Sequence, residues 1–255
     1  MYLSFFGLEQ PPFQALPSPA YYVNFAAAED TALSILFSIT AGKGVIKVTG
    51  ESGTGKTVMV THIEEQLPIN YRKVTIHSPC LNAETCLKQL CHEIGISVSE
   101  RDTELRLIAK LHQTFLQEFT SGYRTIIFVD DAHLFQPEVL KTLCLLSYLK
   151  TRGDQQGDKL VQVVLLGTPA LDEKLETPSI EDWGQRINSH IEMPRLDEVE
   201  VMHYTNHRMK VAGYSKEPVF DLKAARKIQR LTSGVPEVIN RLADQLLVTA
   251  YKCGD

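Results

Sequence analysis

Long apolar runs are missing from this 255-residue chain. The longest, such as residues 33–37 and 161–166, fall far short of the ~20 residues that a membrane-spanning helix needs, so no span is expected. A basic stretch ahead of an apolar one is missing as well. Met1 to Phe6 is soon followed by Pro11, Pro12, Pro17 and Pro19, which is not the pattern of a secretory signal. The protein is therefore expected in the cytoplasm. Cysteine is scarce: Cys80, Cys86, Cys91, Cys144 and Cys253 are odd in number and form no C-x-x-C pair. That suits reduced thiols and speaks against a zinc site on Cys86, Cys91 and His92. A strong excess of one charge is also absent, and a net charge of −5 offers no general attraction for nucleic acid. No internal repeat is visible.

What is present is an ordinary globular composition, 44% hydrophobic and 22% charged, in a chain long enough for one large domain with a smaller companion. Charge is uneven along it. Residues 195–255 hold 10 Lys/Arg against 8 Asp/Glu, whereas residues 1–194 hold 16 against 23. Lys223, Arg226, Lys227 and Arg230 fall close together on a predicted helix, the usual pattern of a solvated helix face.

The most specific signal is Gly50-Glu51-Ser52-Gly53-Thr54-Gly55-Lys56-Thr57, which matches G-x-x-x-x-G-K-[ST] and follows the apolar run Val45 to Thr49. Glycines let a backbone turn tightly enough to aim successive N–H groups at phosphate oxygens, and the helix that follows adds its positive N-terminal end. Lys56 is placed to reach the β and γ phosphates. Thr57 offers its hydroxyl to Mg2+, which keeps oxygen ligands and usually takes only one or two from protein. Gly50 to Val58 is thus the expected binding segment, with ATP and Mg2+ as the expected cofactors.

Strands and helices alternate around this loop. The first 24 residues, rich in aromatics and proline, suggest an extended arm that packs its rings onto the main domain. Asn24 is expected to cap a helix over 25–40. Strands are expected at 45–49, 72–77, 125–129, 160–166 and, briefly, 187–193. Helices at 56–67, 83–94, 103–119 and 137–150 lie between them, with a polar loop over 151–159. From Asp197 onward only helical patterns remain, at 197–211, 219–231 and 236–251, separated by Gly213, Pro218, Gly234 and Pro236. The expected fold is an α/β P-loop domain over 25–194, a parallel sheet flanked by helices, followed by a small all-helical lid domain over 195–255.

Phosphoryl chemistry needs a metal anchor opposite the phosphate loop, and open parallel sheets place acidic side chains for it at the carboxyl ends of strands. Asp130, after the continuous apolar run ending at Val129, is the expected metal ligand. Asp131 is then placed to orient or deprotonate an attacking water.

Gly50 to Thr57, Ile126 to Asp131, Leu165-Leu166-Gly167-Thr168-Pro169 and the helical tail together resemble an AAA+ ATPase. Met1 to Leu8, with Pro12-Phe13 and Pro17-Ser18-Pro19, is similar to the opening of the ExeA/GspA secretion ATPases and of the MSHA pilus biogenesis ATPase MshM. Gln185-Arg186-Ile187 and Gly234 to Asn240 are similar to later motifs of that group, so the resemblance covers nearly the whole chain. It implies a homo-oligomer, commonly a ring, in which Arg186 completes a neighbour's site as an arginine finger and Thr168 senses the γ phosphate. Arg186 also reads as a sheet-edge arginine, and Thr168 as a helix cap before Pro169.

Two departures stand out. The group usually carries Glu where this chain has Asp131, which implies slower hydrolysis. It also tends to carry Arg where this chain has Glu237, so Arg241, one helical turn on, is expected to take the lid-sensing role. Pro12-Phe13 reads either as packing or as part of an adenine pocket. The implied function is an ATP-hydrolysing assembly factor for a secretion or type IV pilus-like apparatus, with secretion or pilus assembly proteins as partners. The secretion ATPases add a membrane span and a cell-wall-binding region, and an end at Asp255 without either favours the pilus-type member or an excised domain. Two other readings stay open: a TniB-like regulator of transposition acting on DNA, and a nucleotide switch that scarcely hydrolyses ATP.

Overall fold

The computed structural model describes all residues except 1, 15–20, 22, 24, 78, 152–156, 188 and 255. The expected Asn24 cap, Pro17-Ser18-Pro19 and most of the polar loop over 151–159 lie outside the described residues. In chain order the elements are α1 (Tyr2–Phe6), α2 (Ala26–Thr40), β1 (Val45–Thr49), α3 (Lys56–Gln66), β2 (Tyr71–Ile76), α4 (Ala83–Ile94), α5 (Glu104–Thr120), β3 (Arg124–Val129), α6 (Pro137–Leu146), β4 (Val161–Gly167), α7 (Ala170–Leu175), α8 (Glu181–Gly184), β5 (Ser189–Glu192), α9 (Glu198–Val211), α10 (Leu222–Thr232) and α11 (Pro236–Cys253). A 3-10 turn at Ala132–Leu134 follows β3. Among the described residues no helix is long and apolar enough to cross a membrane.

The chain divides into two compact units, Thr31–Gly50 with Met59–Glu192, and Met1–Asp30 with Glu51–Val58 and Met193–Asp255. The first is built on a five-stranded parallel sheet in the order β2-β3-β4-β1-β5. Its register sets Thr49 beside Gly167 and Val129 beside Leu165, so β1 and β4 end level and β3 stops two residues short of them. All seven residues of β4 are buried, as are the last five of β3, which is why these strands read as continuous apolar runs. One face is covered by Leu87, Leu90, Phe115, Leu140 and Leu143 of α4, α5 and α6, each burial contributing roughly 1.5–3 kcal/mol. Asn82 starts α4 by accepting the Thr85 N–H at 2.9 Å, and Gly95, at φ +83°, ends it.

Helix α6 stops at Leu146, short of the expected end near 150. The Ser147 hydroxyl donates back to the Cys144 carbonyl at 2.7 Å, and Lys150 then pairs with Lys159 in an antiparallel bridge that draws the chain out of the helix.

In the second unit α9 opens with a capping box, Asp197 accepting from the Glu200 N–H while the Glu200 carboxylate accepts from the Asp197 N–H. Its core joins Val201, Tyr204 and Met209 to Phe220, Ala225, Ile228 and Ile239. The arm belongs to this core, which corrects the expectation that its rings pack onto the α/β domain. It also begins with the short helix α1 and is not extended throughout. Phe13 packs edge-on against Phe220 at 5.9 Å, Tyr2 donates to Asp244 at 2.7 Å, and the Glu9 N–H donates to the Ala212 carbonyl at 2.8 Å. The physical reason is Arg208, only 6% exposed. Its guanidinium donates to the Pro12 carbonyl at 2.7 Å and the Gln14 carbonyl at 2.9 Å, and lies over the Tyr21 ring at 4.5 Å. A proline-rich segment has few N–H groups of its own, so its carbonyls need donors from elsewhere.

Cys80, Cys86, Cys91 and Cys144 are buried and Cys253 is exposed, all as free thiols. Burial pushes the Cys144 thiol up to about 12 and raises those of Cys86 and Cys91 as well.

Arg208→Leu leaves two arm carbonyls without donors and is expected to cost ~2–4 kcal/mol in thermal unfolding and to open the arm to proteolysis. Arg226→Leu, which breaks only the exposed pair with Glu198, should leave both unchanged.

Candidate functional site

The phosphate-loop sequence leaves β1 at the carboxyl edge of the sheet, where the Gly50 N–H donates to the Gly167 carbonyl of β4 at 3.1 Å. Gly53 and Gly55 take φ of +80° and +93°, a region that L side chains rarely adopt. The turn is closed on one carbonyl, that of Glu51. It accepts from the Thr54 hydroxyl at 2.8 Å, the Thr54 N–H at 3.3 Å and the Lys56 amine at 2.8 Å. Lys56 is 6% exposed and opens α3, so Lys56, Thr57 and Val58 form a helix first turn that carries no acidic residue.

Two carboxylates flank the loop within its own unit. Glu51 is ion-paired to Arg195. Glu237, at the start of α11, donates its N–H to the Gly53 carbonyl at 3.2 Å. Its side chain lies so close that a Cβ added to Gly53 would meet Glu237 Cβ at 2.5 Å and Oε2 at 2.6 Å. Ser52 is exposed in the loop, and Arg241 is exposed one turn further along α11.

In the α/β unit β3 delivers Asp130 and Asp131. Asp130 is 7% exposed, and its Oδ1 accepts the Asp131 N–H at 2.9 Å. Asp131 adopts φ +47°, ψ +41°, a left-handed conformation that turns the chain sharply into the 3-10 turn and leaves its side chain half exposed. Thr168 follows β4 directly, and its N–H donates to His133 Nδ1 at 3.4 Å. At the start of α7 Pro169 has helical backbone angles and the Thr168 carbonyl accepts the Leu171 N–H at 2.9 Å, with no side-chain cap bond among the described residues. His133 Nδ1 also lies 3.9 Å from Asp131 Oδ1, so three side chains or backbone groups meet here. The Lys174 amine secures the turn from behind by donating to the carbonyls of His133 and Phe135, and its burial pushes its own pKa down.

Arg186 follows α8 and is exposed. Its guanidinium lies over the rings of Trp183 at 5.2 Å and Tyr148 at 5.7 Å, which themselves meet edge to face at 5.3 Å. No contact of Arg186 with Asp131 or Thr168 is seen among the described residues. Nor do these hold a group of three His, Cys, Asp or Glu side chains placed for a metal. His133 and Lys174 were not singled out from sequence. The first carries a faint signal, a histidine within Asp130-Asp131-Ala132-His133 at a strand end, and the second carries none.

Over residues 39–175 the sequence matches the AAA domain family. The chain belongs to this family. The chain is also 33% identical, over all 255 residues, to General secretion pathway protein A of Aeromonas hydrophila, and spans 46% of that protein's length. The resemblance to the ExeA/GspA group is thus borne out over the whole chain. Its fold matches Cdc6p from Pyrobaculum aerophilum with a TM-score of 0.70 at 17% identity, covering 95% of this chain and 66% of the other. It matches the Aeropyrum pernix ORC2 protein with a TM-score of 0.64 at 15% identity, covering 96% and 68%. The expected P-loop α/β sheet with a helical C-terminal region is therefore present.

The two loop glycines are expected to differ. An added Cβ at Gly55 meets nothing within 4 Å, so Gly55→Ala adds only backbone strain of ~1 kcal/mol. Gly53→Ala adds the collision with Glu237 and should lower stability by ~1–3 kcal/mol more, read by thermal unfolding without nucleotide.

Proposed function

We propose that this AAA domain binds ATP with Mg2+ on Gly50 to Val58, hydrolyses it, and as a homo-oligomer uses the cycle to help assemble a secretion or type IV pilus-like apparatus. The observation that carries this reading is the loop itself. Two glycines at positive φ turn it, the Glu51 carbonyl ties it, and the buried Lys56 opens a helix whose first turn is free of carboxylates. Those features fit a polyphosphate, whose oxygens take N–H groups, a lysine and a helix N-terminus together. The Aeropyrum pernix ORC2 neighbour is described in ADPNP–ADP complexes, which agrees. The secretion role rests on the similarity to General secretion pathway protein A. Pilus assembly is the finer alternative within it, and contact with the inner membrane would run through partner proteins.

When bound, Mg-ATP supplies a phosphoanhydride poised for in-line attack. Thr57 and Asp130 would hold the metal, Asp131 would orient and deprotonate water, and Thr168 would sense the γ phosphate. Arg186 would act on a neighbouring subunit's nucleotide. Its exposure, and a seat made of aromatic faces and not of a carboxylate, suit a cation that must be offered outward. Arg241 would read the nucleotide from α11, whereas the carboxylate of Glu237 would oppose it. Arg226, one of the four clustered basic residues, is taken up by Glu198, which weakens the DNA reading.

Turnover per subunit should rise with protein concentration. Lys56→Ala and Arg186→Ala subunits, each inactive alone, should recover activity when mixed, since one supplies the finger and the other the nucleotide. A mixture as inactive as its parts would overturn the shared site. Glu237→Gln should tighten ATP binding about fivefold, the effect of removing ~1 kcal/mol of repulsion, measured by titration with a fluorescent analogue.

A further inference from the structure

Resting on the reading of Asp131 as the base, we infer that His133 is a positioning residue that couples Thr168 to Asp131. The geometry that carries this is one ring nitrogen shared by two claimants. His133 Nδ1 accepts the Thr168 N–H at 3.4 Å and lies 3.9 Å from Asp131 Oδ1. A nitrogen that accepts from Thr168 carries no proton, so it cannot at the same time donate to the carboxylate. With Thr168 in place the Asp131 carboxylate is left to water. With Thr168 withdrawn the imidazole shifts its proton to Nδ1, donates to Asp131 and takes the carboxylate out of service. No net proton is gained or lost, since Nε2 gives up what Nδ1 receives through solvent.

The surroundings make the ring a fixed pivot. Lys174 fastens the carbonyls on either side of Leu134, His133 and Phe135, to α7. Gly167 lets β4 approach so closely that an added Cβ would come within 3.4 Å of the His133 backbone nitrogen and 3.1 Å of Leu171. Asp131 has no glycine's freedom at φ +47°, so its direction is set by this turn. A small displacement of Thr168, the residue placed to feel the γ phosphate, is thereby passed to the base across two contacts.

The test measures steady-state phosphate release by the whole chain for Thr168→Pro, which takes away the N–H, and Thr168→Ala, which keeps it, each with His133 present and in a His133→Leu background, whose side chain can neither accept from Thr168 nor donate to Asp131. Thr168→Pro should lower kcat at least tenfold with His133 present and no more than about threefold, relative to His133→Leu alone, when the ring is gone, whereas Thr168→Ala should have the same effect in both backgrounds. An equal loss from Thr168→Pro in the two backgrounds would overturn the coupling while leaving the ATPase reading standing. A parent chain that binds ATP but releases no phosphate would overturn both.

Discussion

A sheet buried on both faces has only its ends to offer. In this chain β4 is buried along its full length, β3 over its last five residues, and β1 at four of five positions. No side chain in the middle of these strands can reach a ligand, and what chemistry there is must gather where the strands stop. Register brings those stops within two residues of one another. Gly50, Asp130 and Thr168 leave β1, β3 and β4 at one edge, and the Gly50 N–H bond to Gly167 pins the first of them there. The loop that follows Gly50 is closed on a single carbonyl, that of Glu51, which gathers three donors.

Electrostatically the neighbourhood of the loop is less simple than the motif alone suggests. A cation, Lys56, and the positive end of α3 would face the polyphosphate proposed for this loop, yet two carboxylates stand beside them. Arg195 neutralises Glu51. Glu237 has its backbone engaged with Gly53 while its carboxylate lies against the same glycine. The position that would reward a cation thus carries an anion, and Glu237, whose N–H holds the Gly53 carbonyl, would disfavour a polyphosphate there. Under the proposed function, binding and folding of this segment would be partly opposed.

The sheet and the loop were legible because their determinants are local. Buried parallel strands read as unbroken β-branched runs, and a glycine-rich turn between strand and lysine is recognisable wherever it occurs. What escaped depends on partners far along the chain. The arm was assigned to the α/β domain because nothing near Pro12 says that its carbonyl is satisfied by Arg208. Helix α6 ends early because of a bridge between Lys150 and Lys159, which helical periodicity does not register. His133 looked like one more polar residue in a turn until Thr168, 35 positions later, supplied its partner. The Asp130–Asp131 pair was found from sequence, but the left-handed backbone at Asp131 was not, since only a glycine would have announced it.

Four of the five cysteines are enclosed, and burial keeps three of these, Cys86, Cys91 and Cys144, protonated well above neutral pH. Cys253, in the last turn of α11, is the one thiol that solvent reaches. The native sequence thus already contains a single-site labelling handle, on the helix that begins with Pro236 and Glu237 and carries Arg241. A maleimide fluorophore attached there would turn that helix into an optical reporter without a single engineered substitution.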